Sequence, residues 1–317
     1  MGLSTLTRPT APPRRSARPR PRALETETRS STAPDSHLAV FEYPDKMIEA
    51  SRHWRRDGLD IGLVPTMGAL HAGHLSLVAE ARRENRVVIV SIFVNPIQFG
   101  AGEDYSRYPR DLERDAALLR RAGVNAIYRP AVDVMYPPGS STRVHVSGVA
   151  DPLEGAARPG HFEGVATVVT KLFAAVEPDR AYFGQKDAQQ VAVVKRMTRD
   201  LDLRVEICVV PTVREPDGLA LSSRNAYLGP AERKAAVCLS SALRLAAEAY
   251  SSGERRPEQL RKVLRARLDA EPLARVDYAE IVDPESFQSP GTLAVLAVRI
   301  GSTRLIDNHE LTRPFQG

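Results

Sequence analysis

The sequence predicts an α/β protein: a doubly wound parallel sheet followed by a second, smaller α+β C-terminal domain. Three observations predict it. Between about residues 37 and 210, short apolar runs alternate with helical patterns, the signature of βαβ units. One of those runs, residues 87–94, is apolar without alternation, as a strand covered on both faces must be. Beyond about Pro211 the pattern changes to two helical stretches and then three strand-like runs, which suits helices packed on a small antiparallel sheet. In order, strands are expected over 61–64, 87–94, 126–128, 180–183 and 205–210, with helices over 45–56, 73–85, 110–122, 164–176 and 187–200. Helices over 229–251 and 258–270 then precede strands over 276–282, 292–298 and 303–308. The expected organisation is an extension (1–36), a sheet domain (37–211) and a smaller domain (212–317).

Composition narrows the function classes. Hydrophobic residues at 43% and charged residues at 26% are those of a globular protein. No run of about 18 apolar residues is present, so no membrane span is expected. Cys208 and Cys238 have no neighbouring His or Cys cluster and read as reduced core thiols, neither a zinc site nor a disulfide framework. The isoelectric point of 9.3 invites a nucleic-acid reading, but the basicity is local. Seven of the 44 Lys and Arg and three of the 39 Asp and Glu fall in residues 1–36, so the remainder holds 37 basic against 36 acidic residues. A nucleic-acid partner is therefore not expected. The extension is rich in Pro, Arg, Ser and Thr and too poor in apolar residues to offset its ordering entropy, so disorder is expected there. It lacks the apolar centre of a secretory signal, and its prolines oppose the amphipathic helix of a transit peptide, so a cytoplasmic protein is expected.

Four segments carry the chemistry. Met67-Gly68-Ala69-Leu70-His71-Ala72-Gly73-His74 follows one expected strand and opens a helix. A glycine turn and a helix start suit a nucleotide phosphate, and two His three apart can face the same phosphate. Gly184-Gln185-Lys186-Asp187 is a second strand-to-helix turn. Its glycine permits close backbone approach, Lys186 offers a mobile cation, and Asp187 accepts from a ribose hydroxyl or caps the helix. Taken alone, that turn reads more readily as a capped helix with a solvated Lys; its place at the carboxyl edge of the same expected sheet is what points to phosphate. Leu221-Ser222-Ser223-Arg224 offers two hydroxyls and an Arg fork for phosphate oxygens, or is an ordinary polar loop. Asn95 and Gln98 follow the strongest strand and read hydroxyls and carbonyls without adding charge, or close a local turn.

These motifs, in register with Tyr105-Ser106-Arg107-Tyr108-Pro109-Arg110, His161-Phe162-Glu163-Gly164-Val165 and Gln189-Gln190, resemble the pantoate–β-alanine ligase family of the His-x-Gly-His nucleotidyltransferase superfamily. The similarity runs from about residue 38 to the end. It implies a Rossmann-like sheet domain with a smaller C-terminal one, and an ATP-dependent amide ligase. Pantoate and ATP would give pantoyl-adenylate and pyrophosphate, and β-alanine would then give pantothenate and AMP. The resemblance implies catalytic roles for His74, His71 and Lys186. It implies nucleotide contacts from residues 67–74, 184–187, Val213 and 221–224. Gln98, Gln190 and, from its position, Asn95 are expected to hold substrate. Mg2+ is implied on the ATP phosphates with no metal held by the protein itself, and a homodimer is implied. Leu221, Gln185 and Ala188 depart from the family's usual Met, Glu and aromatic, and none removes an expected donor. The nearest competing reading is another adenylyltransferase of the superfamily, acting on a mononucleotide or an amino acid.

Overall fold

The computed structural model describes residues 38–315, so the expected disorder of 1–36 lies outside the described residues. Six parallel strands form the larger sheet: β1 (Ala39–Phe41), β2 (Ile61–Thr66), β3 (Val87–Ile92), β4 (Ala126–Tyr128), β5 (Arg180–Gly184) and β6 (Glu206–Val210). Their order is β1-β4-β3-β2-β5-β6. Helices α1 (Pro44–Arg56), α2 (Ala72–Glu84), α3 (Leu112–Arg121), α4 (Val132–Met135), α5 (Glu154–Ala157), α6 (His161–Val176) and α7 (Ala188–Asp200) connect them. After β2 the chain moves outward through β3 and β4, and it later returns to the other side of β2 through β5. The strand order therefore reverses between β2 and β5, and a crevice at such a switch point is where open α/β sheets bind ligands.

The strand residues explain why both faces are covered. Ile61, Leu63, Val87 and Ile89 are buried against one helical layer that includes Val169, Leu172 and Phe173 of α6. Val64, Val88 and Val90 are buried on the other side with Leu77 and Val78 of α2 and Leu119 of α3. This is the physical origin of the unalternating apolar run in β3. The three-residue edge strand β1 is too short for a periodic signal and was not expected.

Residues after Val210 form α8 (Pro230–Ala235), α9 (Cys238–Ser251), α10 (Pro257–Asp269) and an antiparallel sheet of β7 (Ala274–Val282), β8 (Leu293–Ile300) and β9 (Thr303–Glu310), in the order β7-β8-β9. Leu239, Leu243, Leu260 and Leu264 pack on Ile281, Leu296 and Val298 to make a second core. The single helix expected over 229–251 is two helices. Leu239 N–H bonds back to the Ala236 carbonyl, tightening the chain into a turn that no Gly or Pro marks. Among the described residues no helix is long and apolar enough to cross a membrane.

One helix contact positions the site. A Cβ built on Gly164 of α6 would lie 2.6 Å from the Ile97 carbonyl oxygen and 2.7 Å from the Gln98 backbone. Only glycine lets the 96–98 turn lie against this helix. Gly164→Ala is expected to destabilise the fold by about 1–3 kcal/mol, as overpacking of a backbone contact does. The midpoint of urea unfolding measures it, and a midpoint equal to that of the parent would refute the contact's importance.

Candidate active site

The turn after β2 is built by a buried acid. Gly68 and Ala69 both take left-handed backbone conformations, with φ of +83° and +52°. For Ala69 this is unfavourable by roughly 1–2 kcal/mol. Asp115 of α3, 1% exposed, holds the turn there. Its carboxylate accepts from Ala69 N–H at 2.8 Å and from Leu70 N–H at 2.9 Å, while Gly68 N–H donates to the Thr66 hydroxyl at 3.2 Å. The amides of Gly68, Ala69 and Leu70 are thereby used within the protein. Leu70 is buried in the core and Ala72 faces solvent, so neither lines a cavity.

The two imidazoles cap α2 reciprocally. Gly73 N–H donates to Nδ1 of His71 at 3.1 Å, and His71 N–H points to Nδ1 of His74 at a longer 3.4 Å. A ring that accepts at Nδ1 and is neutral carries its proton on Nε2. Both rings are held neutral. Burial lowers the His71 pKa, helped by the Lys186 charge, and burial beside His71 pushes His74 down to about 3. The rings lie 4.1 Å apart, centroid to centroid. They are oriented neutral donors, not cations, and the helix start offers N–H groups through them. A Cβ on Gly73 would sit 2.9 Å from the His71 ring, so this position must be small.

The second turn, Gly184 to Asp187, ends β5 beside β2. Nothing lies within 4 Å of a Cβ built on Gly184, so the space over it is open to a ligand. Lys186 is largely buried, its Nζ 3.7 Å from the Asp187 carboxylate. The turn is clamped from the C-terminal sheet. Asn308 of β9 donates to the carbonyls of Gln185 and Lys186, both at 2.9 Å, and accepts from the Gln185 amide at 3.0 Å. The side chain of Gln185 is thus committed to Asn308 and lines neither cavity, so a nucleotide contact from this position would have to come from its backbone. The third segment approaches the first: Ser223 hydroxyl reaches the Ala69 carbonyl at 3.4 Å, and Arg224 is held by Asp104 through Nε at 3.1 Å and Nη2 at 3.0 Å.

All three segments border one cavity of about 230 Å³. Its walls include Met67, His71, Gly73, His74, Gln98, Gly184, Lys186, Asp187, Gln190, Val213, Leu221, Ser222, Ser223 and Arg224. A larger cavity of about 840 Å³ adjoins it and shares Arg158, His161, Lys186, Asp187, Gln190, Ser222 and Arg224. The smaller one lies below the roughly 300–1,000 Å³ usual for small-molecule sites, so a nucleotide with further substrates needs space in both.

Asn95 is corrected as a direct ligand. It is 1% exposed, and its amide donates to Gln98 Oε1 and to the Gly164 carbonyl, both at 3.0 Å, while its Oδ1 accepts from Tyr136 at 2.9 Å. With every polar atom committed, it orients Gln98, whose own amide meets Met67 sulfur at 3.2 Å. Gln190 lines both cavities. Four positions that brace the turns or line the cavities were not singled out from the sequence: Asp115, Asn308, Tyr108 and Arg158. Tyr108 lines the smaller cavity within a quoted motif, and burial raises its phenol pKa. The partners of Asp115 and Asn308 in these turns lie far along the chain, as does Glu103 for Arg158, whose other partner His161 is only three residues away.

A parallel sheet whose switch point presents a His-x-Gly-His turn and a Gly-x-Lys-Asp turn defines an α/β enzyme of the nucleotidyltransferase type. Comparison narrows it. A family model described as pantoate-beta-alanine ligase matches residues 39–310, and the chain belongs to that family. Pantothenate synthetase of Roseiflexus sp. (strain RS-1) is 61% identical over 78% of this chain and 91% of that protein. The Herpetosiphon aurantiacus pantothenate synthetase is 55% identical over 82% and 97% respectively. Among solved structures, pantothenate synthetase from Thermus thermophilus matches with a TM-score of 0.79 and 50% identity, covering 86% of this chain and 99% of that one. The Francisella tularensis pantoate-beta-alanine ligase, complexed with beta-gamma ATP and beta-alanine, matches with a TM-score of 0.71 and 34% identity over 87% and 98%.

Two predictions follow from the geometry. Asp115→Ala is expected to destabilise the fold by about 1–3 kcal/mol, since two buried amides lose their partner. It is also expected to lower kcat, because the His71 turn loosens. Thermal unfolding and steady-state kinetics measure both effects, and a parent-like kcat would show that Asp115 does not set the turn. The second concerns pH. His74 and His161 are neutral in the fold, with burial pushing them to about 3 and about 4, the latter helped by Arg158. The unfolded chain takes up protons near pH 6.5 that the folded chain refuses, so stability falls as pH drops from about 7 towards 4. His74→Gln is expected to flatten that fall; a stability profile of unchanged slope in the variant would contradict it.

Proposed function

We propose that this chain is a pantoate–β-alanine ligase that forms pantothenate in two steps at one site, using ATP. A carboxylate oxygen of pantoate bonds to the α-phosphorus, the α–β bridging P–O bond breaks, and pyrophosphate leaves with the bonding pair. The amine of β-alanine then bonds to the acyl carbon of pantoyl-adenylate, the acyl C–O bond breaks, and AMP departs. The nitrogen gives up its surplus proton to solvent. The observation that carries the reading is the meeting of His71, His74, Lys186 and Ser222–Arg224 around one cavity that also contains Gln98 and Gln190.

Each residue has a physical task. The first step brings two anions together and builds charge on phosphoryl oxygens. Donors fixed beforehand where that charge grows give the largest single contribution to catalysis. His71 and His74, neutral with Nε2–H free, supply hydrogen bonds without a proton transfer, which an already ionised carboxylate does not need. Lys186 supplies the mobile positive charge, and Arg224 a fork oriented by Asp104. Gln98 and Gln190 are neutral amides suited to pantoate's hydroxyl groups. Met67, Gly184, Asp187, Val213 and Leu221 shape the space for the nucleoside.

Mg2+ belongs to this reading as a companion of the triphosphate. Among the described residues no three His, Cys, Asp or Glu side chains converge on a metal position. The donor set therefore fits an ion held by phosphate oxygens and water, as Mg2+ commonly is. When bound it would screen the phosphate charge. A homodimer, a cytoplasmic location and a division into domains near residues 211–212 complete the proposal; light scattering at twice 34.8 kDa would support the dimer.

The test is pantoate-dependent exchange of labelled pyrophosphate into ATP, without amine. Exchange with pantoate, and its absence without, is the expected result. Exchange only with another acid or a mononucleotide would overturn the substrate assignment. Lys186→Ala is expected to fold normally and slow exchange by at least about a hundredfold, in line with the loss of one preorganised charge donor. Near-parent exchange would remove Lys186 from the mechanism.

A further inference from the structure

Arg158 was not expected from the sequence, yet it borders both cavities. Its side chain is only 15% exposed. Nε and Nη2 donate to the two carboxylate oxygens of Glu103, both at 2.7 Å, and Nη1 donates to His161 Nε2 at 3.0 Å. His161 Nδ1–H in turn donates to the Gln98 carbonyl at 2.9 Å. A guanidinium has five N–H groups, so among the described residues this arrangement leaves one on Nη1 and one on Nη2 without a protein partner. The guanidinium borders both cavities, and its planar donor fork suits a carboxylate.

We propose that Arg158 binds the carboxylate of the β-alanine acceptor and so sets the enzyme's selectivity for an amino acid over a plain amine. The inference rests on the ligase reading and names a subsite within it. Three cations border both cavities: Lys186, Arg224 and Arg158. Lys186 belongs to the turn beside His71, and Arg224 to the segment whose Ser223 touches Ala69, so both stand on the phosphate side. Arg158 is joined through His161 to Gln98, on the acid-substrate side. Pantoate's carboxylate is a poor fit for this fork, because it must leave any cation to become a neutral acyl group. The acceptor's carboxylate is never consumed and keeps its charge through to product. The larger cavity also gives the amine a route to the acyl carbon once nucleotide and pantoate fill the smaller one. Glu103 partly neutralises Arg158 and fixes its plane, which favours a carboxylate that must be released with the product over one held permanently.

The experiment separates the half-reactions in Arg158→Gln, Arg158→Lys and the parent enzyme. Pyrophosphate exchange, which needs no amine, reports adenylation; pantothenate formation reports capture of the acceptor. In Arg158→Gln, kcat/KM for β-alanine is expected to fall at least about thirtyfold further than the exchange rate does, the scale for losing a charged hydrogen bond. The parent is expected to prefer β-alanine strongly over 3-aminopropanol, and Arg158→Gln to lose that preference. Arg158→Lys, which keeps the charge without the fork, is expected to recover part of it and covers the case in which the Gln variant fails to fold. If exchange and amide formation fall together in the variants, Arg158 serves pantoate or ATP and the inference is wrong. An unchanged preference for β-alanine over 3-aminopropanol would also overturn it. Absence of pantoate-dependent exchange in the parent, by contrast, removes the ligase reading itself and this inference with it.

Discussion

The reciprocal cap of His71 and His74 on the first turn of α2 is the constraint from which the site's chemistry follows. A helix start leaves N–H groups without intrahelical partners, and here two imidazole Nδ1 atoms take the place of the usual cap oxygens. That one choice decides the tautomer of both rings and with it the direction of their remaining donors. A protonated ring would lose its Nδ1 acceptor and release the helix start. Burial, which disfavours the charged form, and the cap, which requires the neutral one, therefore act in the same direction. Near neutral pH both rings then present fixed dipoles and not cations. This is a different device from a cation such as Lys186, whose charge is mobile and whose nearest carboxylate is 3.7 Å away.

The fold supplies the second requirement, which is proximity. Because the strand order reverses at β2 and β5, the turns that leave these adjacent strands open side by side. Neither turn holds itself. The first depends on Asp115 from α3 and the second on Asn308 from β9, so each is braced by an element remote in sequence. Asn308 follows Asp307, a buried carboxylate bound through both oxygens to Arg214. The small sheet is thereby more than an appendage: its last strand forms part of the frame that aims Lys186. A rigid frame matters because misplacement of a charge by an ångström sacrifices much of its value to a transition state.

How far the site was legible in the sequence depended on how local its causes were. The β2 and β5 strands and both their turns were readable, since apolar runs and Gly, His and Lys at strand ends are properties of ten neighbouring residues. Gln98 was readable for the same reason. The failures share a cause of the opposite kind. Asn95 has the same polarity and position as a substrate ligand, and only the packing of Gly164 and Tyr136 around it shows that its hydrogen bonds are spent. That the amides of Ala69 and Leu70 are taken by Asp115, 46 and 45 residues away, leaves no mark near them. Gln185 stands inside a phosphate-suited motif and yet turns to β9. The break between α8 and α9 escaped notice because Ala and Val permit it without signalling it. Resemblance to a family placed the right segments together, but which atoms of those segments remain available is a tertiary fact.

Charge balance around the cavities carries the synthesis one step further. The consecutive acids Glu103 and Asp104 grip Arg158 and Arg224 through paired hydrogen bonds, so one short stretch of chain orients two cations on the shared wall. Burial works to raise the Glu103 pKa, and the Arg158 hydrogen bonds outweigh it, so the acid stays charged and the pair stays formed. A site that must accept a triphosphate, then release pyrophosphate, then accept an amino acid, cannot present unopposed positive charge, because the products would remain bound. Pairing each arginine with an acid lowers its net pull while keeping its geometry, whereas Lys186, with the weakest pairing of the three, keeps its charge least opposed, as the role proposed for it requires.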